Sequence, residues 1–215
     1  LGSNPMEAIA LSPWVGLKHF RKLFASSNFL RVLSNTLIIN GMKIVILFPI
    51  PIIVAILLNE IRRRNARKLL QTSIYIPYFF SWVVVFGIFY SLLGTYGIVN
   101  GILSGLGIER MRFFTDQRIF RWLLVFTEGW KEVGYNAVIY LAAITGIDVG
   151  LYEAAKIDGA NKWRLIWHIT LPGILPTIVL MLILKVGNIL DTGFEQVLVF
   201  YNAAVYDVAD IIQTY

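Results

Sequence analysis

The sequence predicts an all-α fold, a polytopic bundle of membrane-spanning helices. Three observations point there. Of the 215 residues, 57% are hydrophobic and only 15% charged, whereas water-soluble domains carry about 25% charged and about 45–50% apolar residues. No charged residue occurs between Leu69 and Ile108. Pro49 and Pro51 sit inside an apolar run; a soluble helix rarely tolerates such a pair, but in a membrane neighbouring helices re-satisfy the freed backbone groups. This composition excludes a soluble enzyme, a disordered protein and a nucleic-acid-binding domain. The net charge of +6 would suggest a nucleic-acid partner in a soluble chain. In a membrane chain it reflects loops facing anionic membrane lipid.

A membrane-spanning helix needs about 20 mostly apolar residues, and four stretches supply them. Residues 1–32 form a polar, Pro-containing segment on the outer side, and residues 33–215 form the transmembrane domain. The first span runs from Leu33 to Leu58, interrupted by Lys43 and the two prolines. The second runs from Ile74 to Leu93, rich in Phe, Val, Ile and Trp. Gly94 to Gly107 holds five glycines and reads as a helix end followed by a short interfacial piece. The third span covers Trp122 to Thr145 and carries Glu128, Lys131 and Glu132; the fourth covers Ile169 to Leu190 with Pro172, Pro176 and Lys185.

Loop charge orients the bundle. The first loop, Asn59 to Thr72, holds Arg62, Arg63, Arg64, Arg67 and Lys68 against Glu60. The third, 147–168, holds Lys156, Lys162 and Arg164. The segment after Leu190 has no basic residue and four acids, Asp191, Glu195, Asp207 and Asp210. The positive-inside rule places the first and third loops in the cytoplasm. Lys18, Arg21, Lys22 and Arg31 then lie outside, against the rule; the dense Arg cluster beside two spans outweighs them.

The third loop carries the most information. Asp148 suits an N-cap, Val149 to Asp158 a short helix, and Gly159 a helix C-terminus. Ala154 and Ala155 keep one face small, so another backbone can approach it. Glu153 and Asp158 place charge near the ends. The run Lys162-Trp163-Arg164-Leu165-Ile166-Trp167 mixes basic and aromatic residues, as at a membrane interface. A small helix held between two spans suits docking into a groove on a soluble partner.

The series Glu153-Ala154-Ala155, three residues, Gly159, nine residues, Ile169, one residue, Leu171-Pro172 resembles the EAA signature of permease subunits of binding-protein-dependent ABC importers. It matches in residue type and spacing throughout. The wider chain resembles the subgroup importing complex carbohydrates, similar to alginate and oligosaccharide importers. Ser12-Pro-Trp-Val-Gly-Leu17, Asn35-Thr-Leu37, Leu57-Leu-Asn-Glu60, Trp130-Lys-Glu-Val-Gly134, Gly187-Asn-Ile-Leu190 and Gly193-Phe-Glu-Gln196 carry that likeness. The resemblance implies a type I importer (MetI-like) transmembrane domain in a bacterial inner membrane. Such permeases usually have six spans, so about four are present here. The start at Leu1 and the stop at Tyr215 then read as truncation. The resemblance further implies that Glu153, Ala154, Ala155, Asp158 and Gly159 form a coupling helix seated on an ATP-binding subunit. The implied partners are a second permease subunit in a heterodimer, two ATPase subunits, a solute-binding protein and a carbohydrate substrate.

Charged groups inside a membrane are functional candidates by default, each costing about 2.5–3.5 kcal/mol at the bilayer centre. At about 100° per residue, Glu128, Lys131, Glu132, Tyr135 and Asn136 fall within roughly 140° of one another. Lys185, Asn188, Thr192 and Glu195 fall within about 80°. The two stripes are candidate linings of an aqueous sugar path. The competing reading is that they tie helices together, with Glu128 and Lys131 neutralising each other at three-residue spacing. Lys43 reads as a snorkelling or pairing residue, with a path role left open.

The chain has no G-x-x-x-x-G-K-[ST], so ATP and Mg are expected on the partner ATPase and no cofactor on this chain. It has no Cys and two distant histidines, His19 and His168, so no metal site and no catalytic residue is expected. The rival readings are an importer of another solute class, a secondary transporter or channel acting alone, and a membrane-embedded enzyme using Glu128 or Glu132.

Overall fold

A computed structural model describes residues 15–61, 63–190 and 193–215. Arg62, Asp191, Thr192 and the motif residues 12–14 lie outside the described residues. Every regular element among those described is helical.

After the short α1 (Lys18–Phe24), α2 (Ser27–Leu47) and α3 (Pro49–Asn59) form the first span. They are nearly continuous, because Phe48 between them keeps helical angles. Pro49 and Pro51 cannot donate to the carbonyls one turn back, yet the span continues through them from Ser27 to Asn59. The helix begins at Ser27, six residues before the expected start; Ser26 is extended and closes it off.

The Arg-rich segment read as a loop is helical: α4 spans Arg64–Tyr75. Its basic residues occupy the first turns, and its later residues are apolar enough to continue inward. A 3-10 turn at Ile76–Phe79 follows, then extended Phe80, then α5 (Trp82–Leu93), capped by Ser81. Pro77 breaks the ladder here. The expected second span, Ile74–Leu93, is therefore interrupted. α5 alone is 12 residues, about 18 Å, short of the ~30 Å hydrocarbon core. α4, the 3-10 turn and α5 together run antiparallel along one partner, α7 (Gln117–Thr145). Ile74 lies at Gly134, Tyr78 at Lys131 and Phe89 at Phe126. A Cβ on Gly134 would come within 1.8 Å of the Ile74 carbonyl oxygen, so this close crossing requires glycine.

Past Leu93 the chain turns into α6 (Ile98–Gly105), so Trp82–Gly105 is also long and apolar enough to cross a membrane. Asn100, fully buried, pins the turn by donating to the carbonyls of Gly94 and Met111 and accepting from the Met111 N–H.

α7 is the central helix, 29 residues, about 43 Å, and starts five residues before the expected third span. The first span runs parallel to it: Arg121 donates to Asn35, Lys43 pairs with Glu128, and Leu58 clusters with Leu141 and Ile144. A bend of 69° leads to α8 (Val149–Ile157).

Then α9 (Lys162–Leu165), a π turn (Ile166–Thr170) and α10 (Leu171–Gly187) form the fourth span, Lys162–Gly187. It runs antiparallel to α7, with Gly173 beside Ile147 and Lys185 beside Glu128 and Glu132. The helix stops at Gly187, before the expected Leu190. It resumes as α11 (Phe194–Phe200), from a left-handed Gly193 with φ of 94°. α12 (Tyr206–Ala209) follows. The final segment is tied to the N-terminal ends of α2 and α7. Arg31 pairs with Asp207, Asn35 donates to the Asp207 and Asp210 carbonyls, and Arg121 donates to the Val208 carbonyl.

Two apolar clusters hold the bundle. One packs Phe89, Phe114, Phe120, Leu124 and Phe200; the other, at the end nearer α8, packs Ala55, Leu58, Tyr140, Leu141, Ile144 and Ile174.

Candidate functional site

The loop between the third and fourth spans is built by short-range chemistry. Asp148 is extended enough to cap, and its carboxylate accepts the Gly150 N–H at 2.9 Å. The helix ends in a Schellman motif: the Ala160 N–H reaches the Ala155 carbonyl and the Gly159 N–H the Lys156 carbonyl. Gly159 takes φ of +77°, a conformation that costs other residues about 1–2 kcal/mol. No side chain of α8 is buried. Glu153, Ala154, Asp158 and Gly159 are exposed and Ala155 half-buried. Ile157 is 87% exposed and Leu151 54%. The loop therefore presents an apolar surface edged by Glu153 and Asp158.

The second site lies within the bundle, about 25 Å up α7 from Thr145 by helix rise. Lys43 and Glu128, each 1% exposed, form an ion pair with Nζ to Oε2 of 2.5 Å. The Lys43 ammonium also donates to Gln196 Oε1 at 2.7 Å. The Gln196 amide then donates to the Leu124 carbonyl at 2.7 Å and to Thr127 Oγ1 at 2.8 Å. Gly193 makes room for this, since a Cβ there would lie 2.7 Å from Lys43 Nζ. Lys185 sits at the edge of the cluster, 3.6 Å from Glu128 Oε1 and 3.9 Å from Glu132 Oε2. Asn136 and Lys185 line a small cavity of about 30 Å³ with Tyr140 and Met181.

Next to the cluster is a tyrosine ladder. Tyr135 stacks on Tyr78 with ring centroids 4.0 Å apart and on Tyr75 at 5.9 Å. Lys131 donates to the Tyr78 carbonyl at 2.8 Å and lies over the rings of Tyr78 and Trp82. The ladder forms because the 3-10 turn carrying Tyr78 faces the Tyr135 side of α7. Trp130 points elsewhere and packs on Phe80 and Phe89.

The structure thus brings Glu128, Lys131, Glu132, Tyr135, Asn136 and Lys185 to one region. The pairing expected of Glu128 and the stripe expected of Glu195 do not hold. Glu128 does not neutralise Lys131: its cations are Lys43 and Lys185, and Lys131 is committed to Tyr78. Asn188 sits at the end of α10, exposed, with its amide on the Leu184 carbonyl. Glu195 is exposed on a separate helix, so it does not continue the Lys185 stripe; Gln196 is the residue of α11 that enters the cluster. Lys43 pairs and does not snorkel, being sealed from the surface. Gln196, Tyr75 and Tyr78 were missed. Pro77 beside Tyr78 and Gly193 near Gln196 were the available signals, since each marks irregular backbone within an apolar region.

Comparison with known proteins agrees with this architecture. The family model described as "Binding-protein-dependent transport system inner membrane component" matches residues 48–215. The chain is 46% identical over 213 residues to the polygalacturonan/rhamnogalacturonan transport system permease protein YteP of Bacillus subtilis strain 168, covering 99% of this chain and 66% of that protein. The chain thus spans slightly less than two thirds of that relative's length. It superposes with a TM-score of 0.91 and 40% identity on a chain from the crystal structure of a bacterial ABC transporter involved in import of the acidic polysaccharide alginate, covering 98% of this chain and 75% of that one. A second alginate transporter structure, in complex with an alginate pentasaccharide-bound periplasmic protein, gives 0.90 at 40% identity, covering 98% and 74%. On the family match, which covers most of its length, this chain belongs to the inner membrane components of binding-protein-dependent transport systems.

Proposed function

We propose that this chain supplies the membrane path of an ATP-driven importer of carbohydrate, with acidic oligo- or polysaccharides as the substrate class. The observation that carries the importer reading is the coupling loop, a helix capped at both ends that buries none of its side chains fully. Glu153, Ala154, Ala155, Asp158 and Gly159 dock this helix on an ATPase subunit, which binds ATP and Mg and performs the hydrolysis. The acidic substrate class is supported by the two transport systems named above, for polygalacturonan and for alginate. A second permease subunit completes the path, and a solute-binding protein delivers the sugar from outside.

Transport proceeds by alternating access. Closure of the ATPase dimer draws the coupling helices together, and the spans rock between outward-open and inward-open states. The substrate shifts that equilibrium only by binding the two states differently. The Tyr75–Tyr135–Tyr78 ladder offers stacked ring faces to pyranose rings, and Asn136, Glu132 and Lys185 offer polar partners beside it. Asn188, exposed at the end of α10, is assigned to the continuation of the path beyond Lys185.

The test is co-purification of the full-length permease with its ATPase subunit, which Glu153→Lys and Gly159→Asp should abolish. ATPase binding that survives both changes would overturn the docking assignment. In the same full-length protein, Asn188→Leu should impair uptake with assembly intact; normal uptake kinetics would remove Asn188 from the path.

A further inference from the structure

The coupling helix is held without a packed floor. α8 buries none of its side chains. Beneath it lies a cavity of about 500 Å³ bordered by Asn59, Glu60, Thr145, Tyr152, Lys156 and Lys162. A helix seated on a core passes force through many contacts, because packed interiors are stiff. This one has few. At its start, the Ile147 side chain occupies a notch at Gly173, where an added Cβ would come within 2.6 Å of it. In its middle, the Tyr152 hydroxyl lies 3.0 Å from Thr170 Oγ1. Beyond its end, Lys162 Nζ pairs with Glu60 Oε2 at 2.5 Å, joining α9 to the end of the first span.

The partner of Tyr152 is placed at an unusual point. Thr170 is buried and is the last residue of the π turn Ile166–Thr170. Its hydroxyl also reaches the Leu165 carbonyl at 3.4 Å. A π turn holds one surplus residue within a helix, recurs at functional sites, and can be shifted without breaking the helix on either side. The Tyr152 hydroxyl is thus tied to the one irregular turn of the span it precedes.

We propose that Tyr152 and Thr170, assisted by the Glu60–Lys162 pair, are positioning residues that transmit displacement of the coupling helix into the fourth and first spans. This rests on the importer reading above. The chain connection through residues 158–161 turns at Gly159 and is too pliant to transmit a push. The side-chain tie bypasses it. Exposed ion pairs add little stability, so Glu60–Lys162 acts as a guide and Tyr152–Thr170 as the principal tie.

The experiment uses the full-length permease in proteoliposomes with its ATPase subunits and binding protein. It compares wild type, Tyr152→Phe, Thr170→Val, the double variant and Lys162→Gln. Three quantities are read: ATPase co-purification, ATP hydrolysis stimulated by the loaded binding protein, and sugar imported per ATP. Tyr152→Phe and Thr170→Val should each keep ATPase co-purification. Each should lower sugar imported per ATP by about 3–10-fold, the equivalent of one hydrogen bond. The double variant should match the worse single one, because both remove the same contact. Lys162→Gln should give a smaller loss. An unchanged ratio in both single variants would overturn the proposal. So would multiplying losses in the double variant, or loss of ATPase binding in either single one. Failure of the wild type itself to bind an ATPase subunit is a different result and would refute the importer reading instead.

Discussion

Removing one member of the Lys43–Glu128 pair should be far more damaging than removing both. Each group is 1% exposed and their atoms are 2.5 Å apart. Breaking a buried pair from one side leaves an uncompensated charge and costs about 3–5 kcal/mol, whereas replacing both partners is often close to neutral. Glu128→Gln leaves the Lys43 ammonium with neutral acceptors, Gln196 Oε1 and the new amide, and no counter-charge in contact. Lys43→Met leaves Glu128 facing Lys185 at 3.6 Å, beyond good hydrogen-bonding distance. The double variant removes both charges. It retains one defect, the loss of the donor to Gln196, worth about 1–3 kcal/mol. Two single losses would sum to roughly 6–10 kcal/mol, so a double loss of about 1–3 kcal/mol means strong positive coupling. For a chain of this size each kcal/mol moves the midpoint by about 2–4 °C. Thermal unfolding of detergent-purified protein, followed by tryptophan fluorescence, is the assay. Singles melting within 2 °C of wild type, or a double variant at the sum of the two singles, would refute the reasoning.

Other positions give separable outcomes. Gly134→Ala places a methyl 1.8 Å from the Ile74 carbonyl oxygen; it should force the α4–α7 crossing apart and cost at least the about 1–3 kcal/mol of ordinary overpacking, read as loss of a monodisperse chromatographic peak. An Ala variant with wild-type melting would show that the helices part freely. Gly159→Val, at φ of +77°, should weaken ATPase co-purification through a loop strained by about 1–2 kcal/mol, with folding of the bundle intact; undiminished binding would discard the Schellman turn as a docking element. Tyr135→Ala should raise the KM for sugar about 3–10-fold by removing the ladder's central ring, and Tyr135→Phe should not; equal KM values for the two variants would remove the ladder from the sugar path.

What the sequence made legible follows the range of the interactions involved. The helix of the third loop could be read nearly to the residue, because a capping carboxylate, two alanines and a left-handed glycine act within one or two turns; the fourth span that follows starts at Lys162, seven residues before the expected Ile169. Span boundaries were less legible, because charge marked them. Arg63, Arg64, Arg67 and Lys68 read as a loop, yet basic residues are good helix formers, and Arg64, Arg67 and Lys68 form the first turns of α4 without being buried. The charged cluster was half legible. Angular spacing related Glu128, Glu132, Tyr135 and Asn136 correctly, since all lie on the uninterrupted α7. It failed for Glu195, because the helix stops at Gly187 and the 100° step has no meaning across the break. It could not relate Lys43 to Gln196, which meet across 153 residues of sequence.

The two candidate roles of the polar stripes, tying helices together and lining a path, are joined by the helix breaks. Irregular backbone within a membrane is tolerated only where its freed groups find partners. The second span breaks at Pro77 and the fourth after Gly187. At the first break, Lys131 donates to the Tyr78 carbonyl. At the second, Asn40 donates to the Ile189 carbonyl at 2.5 Å, and Gln196 enters the cluster from the resumed helix. Both breaks lie beside α7, the first at Lys131 and Tyr135 and the second, through Gln196, at Leu124 and Thr127. Lys131 and Asn40 satisfy broken backbone first, and the breaks in turn set Tyr78 against Tyr135 and Lys43 against Gln196. A continuous helix at either place would present only side chains at fixed 100° intervals and could not form the ladder or the cluster. Tying helices together and lining the proposed path are therefore compatible roles: the same hydrogen bonds that satisfy the interruptions hold ring faces and charged groups together within the bundle.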